Sequence, residues 1–379
     1  MKKIADKAGL EYEDLRSYDP KLVVRNIKGK VIPSCEVEEA IDELCDTLSE
    51  ADNFAQNYPN TGLTMKEFMS NGNWCKEKDC LRELIEWFLF DFEYTIPPEE
   101  ASVNSGHWNR IGASGFVSDQ RGFKMIFLDV ISHLVQKKRL LLKKRVVKID
   151  QSTGNKIHVT CDDGTVFRAD AALLTFSMGV LQSRLVVFNP PLPNWKMAAI
   201  DNNPVGAFTK IFLKFPHKFW DDKEWILHVS ERRGYYPAFI NLDANVMYPQ
   251  DLNILIGFVV GSEAQRVENQ PLDTTREEIV NVFRGMYGAQ AVPYPSEIML
   301  SGWLNDPLQM GAFSTPVEGK VIHQLQTRVG RIYFGGEATD EKYAGFVIGG
   351  IRSGEREAKK IVRQVFKKEI KRKASFGEG

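Results

Sequence analysis

Along the first hundred residues the apolar positions recur at helical spacing. In SCEVEEAIDELCDTLSEADNFAQ, Val37, Ile41, Leu44 and Leu48 fall on one face, and Ser34 stands where a capping side chain would. CLRELIEWFLFDFEY is apolar on most sides, which predicts a buried helix that stops before Pro97 and Pro98. Residues 1–115 therefore read as mostly helical. From 116 the period changes. FVSDQRGFKMIFLDVISHLVQ reads as a turn into a helix. RVVKIDQSTGNKIHVTCDDGTVFRADAALLTF reads as short strands with turns at Thr153–Gly154 and Asp163–Gly164. Its end, ALLTF, is continuously apolar, as suits a strand buried on both faces. AFTKIFLKF alternates with period two, and DTTREEIVNVFRGMYG is an amphipathic helix with Asp273 or Thr274 as its cap. The chain closes on a strand, RIYFGG, a loop, and a helix over 347–368.

Charge narrows the function classes. Lys+Arg number 49 against Asp+Glu 50 in 379 residues, without the basic excess that phosphate contacts demand. This argues against a nucleic-acid or membrane-surface protein. The longest apolar stretch, ILIGFVVG, is too short to span a bilayer. The five cysteines are scattered and share no metal-ligand spacing with the six histidines, so no metal is expected. They read as free thiols of a reducing compartment; in an oxidising one, Cys75 and Cys80 are the pair that could bridge. The N-terminus has no apolar core of signal-peptide length, which makes the chain cytoplasmic if Met1 is its start; the compartment is otherwise open. The basic end, residues 369–379, reads as a disordered tail.

Three stretches could carry chemistry. In YFGGEATDEKYAGFVIGG, glycines after a buried strand bare the backbone. A helix starting near Val347 would present unpaired N–H groups and a partial positive charge to an anionic ligand. Glu337 could accept hydrogen bonds from ligand hydroxyls. A tight turn followed by a capped helix is the plainer reading. On the alternating strand, Phe208, Lys210, Phe212 and Lys214 share one face. Lys210 between two aromatics either snorkels to the surface or sits in a pocket with its pKa pulled down. Glu93, at the end of the aromatic-rich helix, is helix-end decoration or one side of a cation site. Trp303 and Phe313, taken singly, read as core. No G-x-G-x-x-G follows a strand, and there is no nucleophile elbow, P-loop or HExxH.

Taken together, DQRGF, VVKI, DGTVFRADAALLTFSMGVLQ, NPPLPNWKMAAI, TKIFLKFPHKFW, RRGYY, GWLNDP…GAFS and YFGGEATDEKYAGFVIGGIRSGEREA resemble flavin-containing amine oxidases, closest to the plant-type polyamine oxidases. The resemblance implies a mixed α/β fold. A partial FAD-binding, Rossmann-like domain (116–182 and 325–368) would accompany a substrate-binding domain with a mixed sheet and flanking helices (1–115 and 183–324). It implies oxidation of spermine- or spermidine-class polyamines by hydride transfer to flavin N5, yielding an imine and hydrogen peroxide. Lys210 would be the catalytic lysine that reaches flavin N5 through a water. Glu93, Phe208, Phe313 and Phe346 would meet the amine; Phe208 and Phe346 replace tyrosines common in the family, so both hydroxyls are lost. Val146, Trp303, Gly336, Glu337, Gly345, Phe346 and Val347 would line the FAD, with Val146 at the adenine and Val347 donating to the pyrimidine side. The loop before Phe313 lacks the cysteine of covalent members, so FAD is expected to be non-covalent. Partners would be the amine and molecular oxygen, with no nucleic acid and no membrane.

The family's opening strand, glycine loop and helix are not found, and the chain begins on what would follow them. With them go the pyrophosphate site and the ribose carboxylate. Three readings follow: a polyamine oxidase represented by an N-terminally shortened sequence, a non-catalytic amine-oxidase-like binding protein or fragment that does not hold FAD, or a chain that binds FAD through a compensating chain in trans.

Overall fold

The computed structural model describes residues 1–14, 21–72, 74, 79–105, 115–244, 251–315, 317 and 319–366. The chain divides into two compact units, Met1–Leu134 with Ala207–Leu304, and Val135–Gly206 with Asn305–Gly379.

The first unit is built on a six-stranded mixed sheet. Its strand order is Glu297–Leu300, Phe208–Lys214, Ile254–Val260, Ala238–Asn241, Trp225–His228, Leu22–Arg25. All neighbours run antiparallel except the last pair, which is parallel. Alternation decides which side chains meet the core. Ile211, Leu213, Ile226 and Phe239 are fully buried with Ile279, Val280 and Phe283 of the helix Leu272–Tyr287. Each such side chain contributes about 1.5–3 kcal/mol of burial. The opposite face carries Phe208 and Lys210, with Phe258 directly across the ladder from Lys210. Against Phe208 and Phe258 packs Phe92, which follows a helix (Cys80–Glu86) that widens into a π-helical turn, Trp87–Asp91. Arg233 anchors that turn. It donates to both oxygens of Asp91, at 3.0 and 2.7 Å, and pairs with Glu86 at 2.8 Å.

The second unit has a four-stranded sheet, ordered Val166–Ala169, Ile157–Cys161, Val146–Asp150, Val187–Asn189. Gly154 and Gly164 take positive φ in its two expected turns. A separate parallel pair joins Ala172–Leu174 to Ile332–Phe334. One core collects Ile149, Ile157, Leu174, Ile200, Leu325, Ile332 and Phe334. Lys196 is buried among them. Its Nζ donates to the carbonyls of Gln324 and Leu325, at 2.8 and 2.7 Å, at the end of the helix Gly319–Gln326. Burial pulls its pKa down to about 7 against the opposing pull of Glu357.

The structure revises several expectations. Residues 1–115 are less helical than their pattern suggests, because Leu22–Arg25 is a strand of the main sheet. Ser34 and Asp273 do not cap their helices: Pro33 and Pro271 hold those positions, with no side-chain cap. Residues 116–134 group with the first unit, and 183–206 and 305–324 with the second. The 183–206 segment does so because its helix Asn194–Asp201 buries Ala199 and Ile200 in the second unit's core. Cys75 and residues 369–379 lie outside the described residues; Cys35, Cys45, Cys80 and Cys161 are free thiols. No helix among the described residues is long and apolar enough to cross a membrane, and no group of three or more His, Cys, Asp or Glu among them is arranged to hold a metal ion.

Candidate active site

In the first unit the site forms around Lys210. The strand Glu297–Leu300 pairs with Phe208–Lys214 up to Ile211, and Ser301 continues the contact. The Lys210 N–H donates to Ser301 Oγ at 3.1 Å, and the Ser301 N–H donates to the Lys210 carbonyl at 3.0 Å. Two residues on, the Trp303 ring lies under the Lys210 ammonium, 5.8 Å from Nζ to the centroid. Among the described residues Lys210 Nζ has no hydrogen bond or ion pair, and burial lowers its pKa from 10.5. Phe208, Phe92 and Phe258 form an aromatic wall beside it, with centroids 5.4 Å (Phe92–Phe208), 5.2 Å (Phe92–Phe258) and 5.9 Å (Phe208–Phe258) apart. Glu93 follows Phe92 and is exposed, so its attraction for a cation is screened within about 10 Å at moderate salt.

In the second unit the site forms at the end of the Ile332–Phe334 strand. Gly336 has φ +108 and ψ 164, a conformation essentially confined to glycine. Its N–H donates to Ser353 Oγ at 3.0 Å, which ties the strand end to the closing helix, Val347–Ile361. Glu337 then turns back into the chain. Its carboxylate accepts from the Ser314 N–H at 3.1 Å, from Ser314 Oγ at 2.6 Å, and from the Gly345 N–H. Of the roughly four acceptor positions on a carboxylate, three are taken, leaving one for a ligand hydroxyl. The same contacts bring Phe313 beside Gly345: a Cβ on Gly345 would lie 3.5 Å from the Phe313 ring and 3.2 Å from the Ser314 carbonyl. Phe346 and Val347, each 44% exposed, follow at the helix start. No side chain caps that helix and its first turn holds no acid. Among the described residues the Val347 and Ile348 N–H groups find no carbonyl. The open N–H groups of this uncapped helix start are donors that suit an anionic or electron-rich ring system, so these residues fit a flavin.

The expected residues thus fall into two groups. Lys210, Trp303 and Phe208 are gathered in the first unit, with Glu93 following Phe92 of the same wall. Phe313, Gly336, Glu337, Gly345, Phe346 and Val347 are gathered in the second. Val146 stands apart on the four-stranded sheet, opposite Cys161 across a register shift, and packs on the core that contains Phe334. Ser301, Ser314 and Ser353 were invisible to sequence reasoning, because a lone serine carries no periodic signal.

Comparison with known proteins converges on one group. The chain is 35% identical over 308 residues to Polyamine oxidase 1 of Zea mays, covering 76% of this chain and 61% of that one. It is 34% identical over 290 residues to Polyamine oxidase 7 of Oryza sativa subsp. japonica, covering 72% and 60%. The chain thus spans about three fifths of the length of these relatives. In fold it is similar to a putrescine oxidase triple mutant redesigned for cofactor binding (TM-score 0.72, 18% identity, 96% of this chain and 85% of that one). It is also similar to the cyclohexylamine oxidase of Brevibacterium oxydans IH-35A (TM-score 0.69, 17% identity, 96% and 84%). These neighbours share its mixed α/β architecture. The family model of flavin containing amine oxidoreductases matches residues 14–362, and the chain belongs to that family.

Proposed function

We propose that this protein oxidises polyamines of the spermine and spermidine class with non-covalently bound FAD, yielding an imine and, from molecular oxygen, hydrogen peroxide. The observation that carries the reading is Lys210: a half-buried ammonium with no hydrogen bond or ion pair among the described residues, on a strand inside the stretch that the family model matches. The relatives named polyamine oxidases support the substrate class.

Each residue then has a task. FAD, when bound, supplies the acceptor for the two electrons of the amine C–H bond. In the second unit the N–H groups at the start of Val347–Ile361 would hold its ring end, Gly336 and Gly345 would let it approach the backbone closely, and Val146 would meet the adenine. In the first unit Trp303 is proposed as a residue that packs on the flavin. The remaining acceptor position of Glu337 is open to a cofactor hydroxyl. The proposal takes attachment to be non-covalent, because the loop before Phe313 carries no cysteine. In the first unit Phe208 would contact the aliphatic amine chain and Glu93 would attract its distal cation; in the second, Phe313 and Phe346 are proposed as contacts of the amine chain. An amine nitrogen must lose its proton before the adjacent C–H bond gives up electrons. A desolvated, uncharged pocket wall disfavours the amine's cationic form, so its proton would be lost to solvent before the amine is enclosed, and Lys210 Nζ would order a water at the reacting carbon.

The test is a visible absorbance spectrum of the purified chain, before and after spermine is added without oxygen. A flavin spectrum that bleaches on addition is the expected result. A colourless protein would overturn the reading for this chain and leave a non-catalytic relative.

A further inference from the structure

One carboxylate outside the expected set reaches both halves of the Lys210 site. Glu268, near the end of the helix Gly261–Asn269, accepts from Thr209 Oγ1 at 2.7 Å through Oε1. Through Oε2 it accepts from the Leu304 N–H at 3.0 Å. Thr209 is fully buried and immediately precedes Lys210; Leu304 immediately follows Trp303. The loop that carries Trp303 is therefore clasped to the lysine strand twice: by Ser301 ahead of the ring and by Glu268 behind it. With one clasp alone, the segment could pivot about Ser301 and carry the indole off the ammonium.

We propose that Glu268 is a positioning residue: by fixing Thr209 and Leu304 with its two oxygens, it holds the Trp303 ring against Lys210 and keeps water from the lysine. The proposal deepens the oxidase reading and rests on it for the catalytic consequence. The groups that face Lys210 from the packed elements are Phe208 and Phe212 on its own strand, Phe258 across the ladder, and Ser301 and Trp303 from the loop. Among the described residues none of these is charged, and burial is what lowers the Lys210 pKa.

The experiment compares Glu268→Gln, Glu268→Ala, Thr209→Val and Thr209→Ser in the full chain. Lys210 is titrated by carbon NMR after reductive methylation, with its signal assigned by Lys210→Arg; this readout needs neither flavin nor turnover. Spermine kinetics and melting temperature are measured alongside. Glu268→Gln, whose amide oxygen can still accept from the Leu304 N–H while its NH2 donates to the Thr209 hydroxyl, should leave the Lys210 titration close to wild type. Glu268→Ala and Thr209→Val should move it toward that of a free lysine, and Thr209→Ser, which keeps the hydroxyl, should restore it. In Glu268→Ala and Thr209→Val kcat should fall roughly 10- to 100-fold with KM nearly unchanged, the scale of a displacement of about 1 Å. An unchanged Lys210 titration in Glu268→Ala, with only the melting temperature lowered, would reduce Glu268 to a support of the fold. Should Glu268→Ala fail to fold, Thr209→Val removes one arm of the clasp and decides alone. A wild-type chain that oxidises no amine would sink the oxidase reading, while the titration would still decide for or against the clasp.

Discussion

Replacing Lys210 with methionine should abolish amine oxidation and at the same time stabilise the protein. The ammonium is half-buried, no hydrogen bond or ion pair compensates it among the described residues, and desolvation alone lowers its pKa from 10.5. Each unit of that lowering is ~1.4 kcal/mol of preference for the neutral form in the folded state. Because the group keeps some contact with solvent, the recoverable stability is discounted to on the order of 1 kcal/mol. Methionine retains the stem packing against Phe258 and Trp303 while removing the charge. The pH dependence follows from linkage. The unfolded lysine binds its proton up to 10.5 and the folded one releases it earlier, so wild-type stability rises with pH between the folded and unfolded pKa values. The methionine variant lacks that rise. Its advantage is therefore largest at pH 6 and fades as pH approaches 10.5. In a unit of 150–250 residues ~1 kcal/mol corresponds to about 2–4 °C in melting temperature. Thermal unfolding of both proteins at pH 6 and pH 10, with spermine-dependent peroxide release, measures this. A variant no more stable than wild type at pH 6, or one whose advantage grows with pH, would refute the picture of an uncompensated lysine. An unchanged oxidation rate would remove Lys210 from the mechanism.

Other features give sharp expectations. Glu337→Gln replaces one acceptor oxygen by a donor, so contacts to Ser314 or Gly345 are lost at a cost of about 1.5–3 kcal/mol; faster exchange of the Gly345 amide reports it, and unchanged exchange would contradict the brace. Gly336→Ala should cost about 1–3 kcal/mol although a Cβ there would meet nothing nearer than 3.9 Å, because the penalty is backbone conformation rather than crowding; a melting temperature equal to wild type would count against the assigned φ. Glu224 is buried, its Oε2 has no hydrogen-bond partner among the described residues, and desolvation pushes its pKa up to about 7. The folded state therefore binds the proton more tightly than the unfolded one between about pH 4.5 and 7, and stability falls as pH rises through that window. Glu224→Gln should be more stable than wild type at pH 8, by on the order of 1–3 kcal/mol, and indistinguishable from it near pH 4; denaturant melts at the two pH values decide.

What was legible in the sequence had a local period or a contiguous motif. The alternation of Phe208–Lys214 separated Phe208 and Lys210 from Ile211 and Leu213, and the structure sets that second face into the core. The glycines and the helix start after Ile332–Phe334 were likewise readable, because a parallel strand followed by bare backbone leaves a written trace. The caps failed for a stateable reason. Pro33 and Pro271 have φ near −55 and −57 with extended ψ, so the ring itself pre-sets the turn into the helix, and the polar residues after them fall inside the first turn. Leu22–Arg25 was missed because four residues on a parallel edge carry too short a pattern to distinguish from loop.

The braces are a different matter. Glu337 reaches Ser314 across 23 positions and Gly345 across 8, while Glu268 reaches Thr209 across 59 and Leu304 across 36. No periodicity relates such positions, and each pair exists only once the strands and helices around it have packed. Yet both do the same physical job. A loop that carries an aromatic residue of the candidate site, Phe313 in one unit and Trp303 in the other, has no regular backbone ladder to fix it and is held by such side-chain bonds. A carboxylate with two oxygens joins two backbone segments with charge-assisted bonds, each stronger than a neutral one, at the cost of a single side chain's ordering. Glu337 entered the sequence reading as a cofactor contact because its motif was recognised; the structure gives it the same work as Glu268, which no motif marked. In this chain the residues proposed to touch ligands are written locally, and the residues that fix their positions are written in the fold.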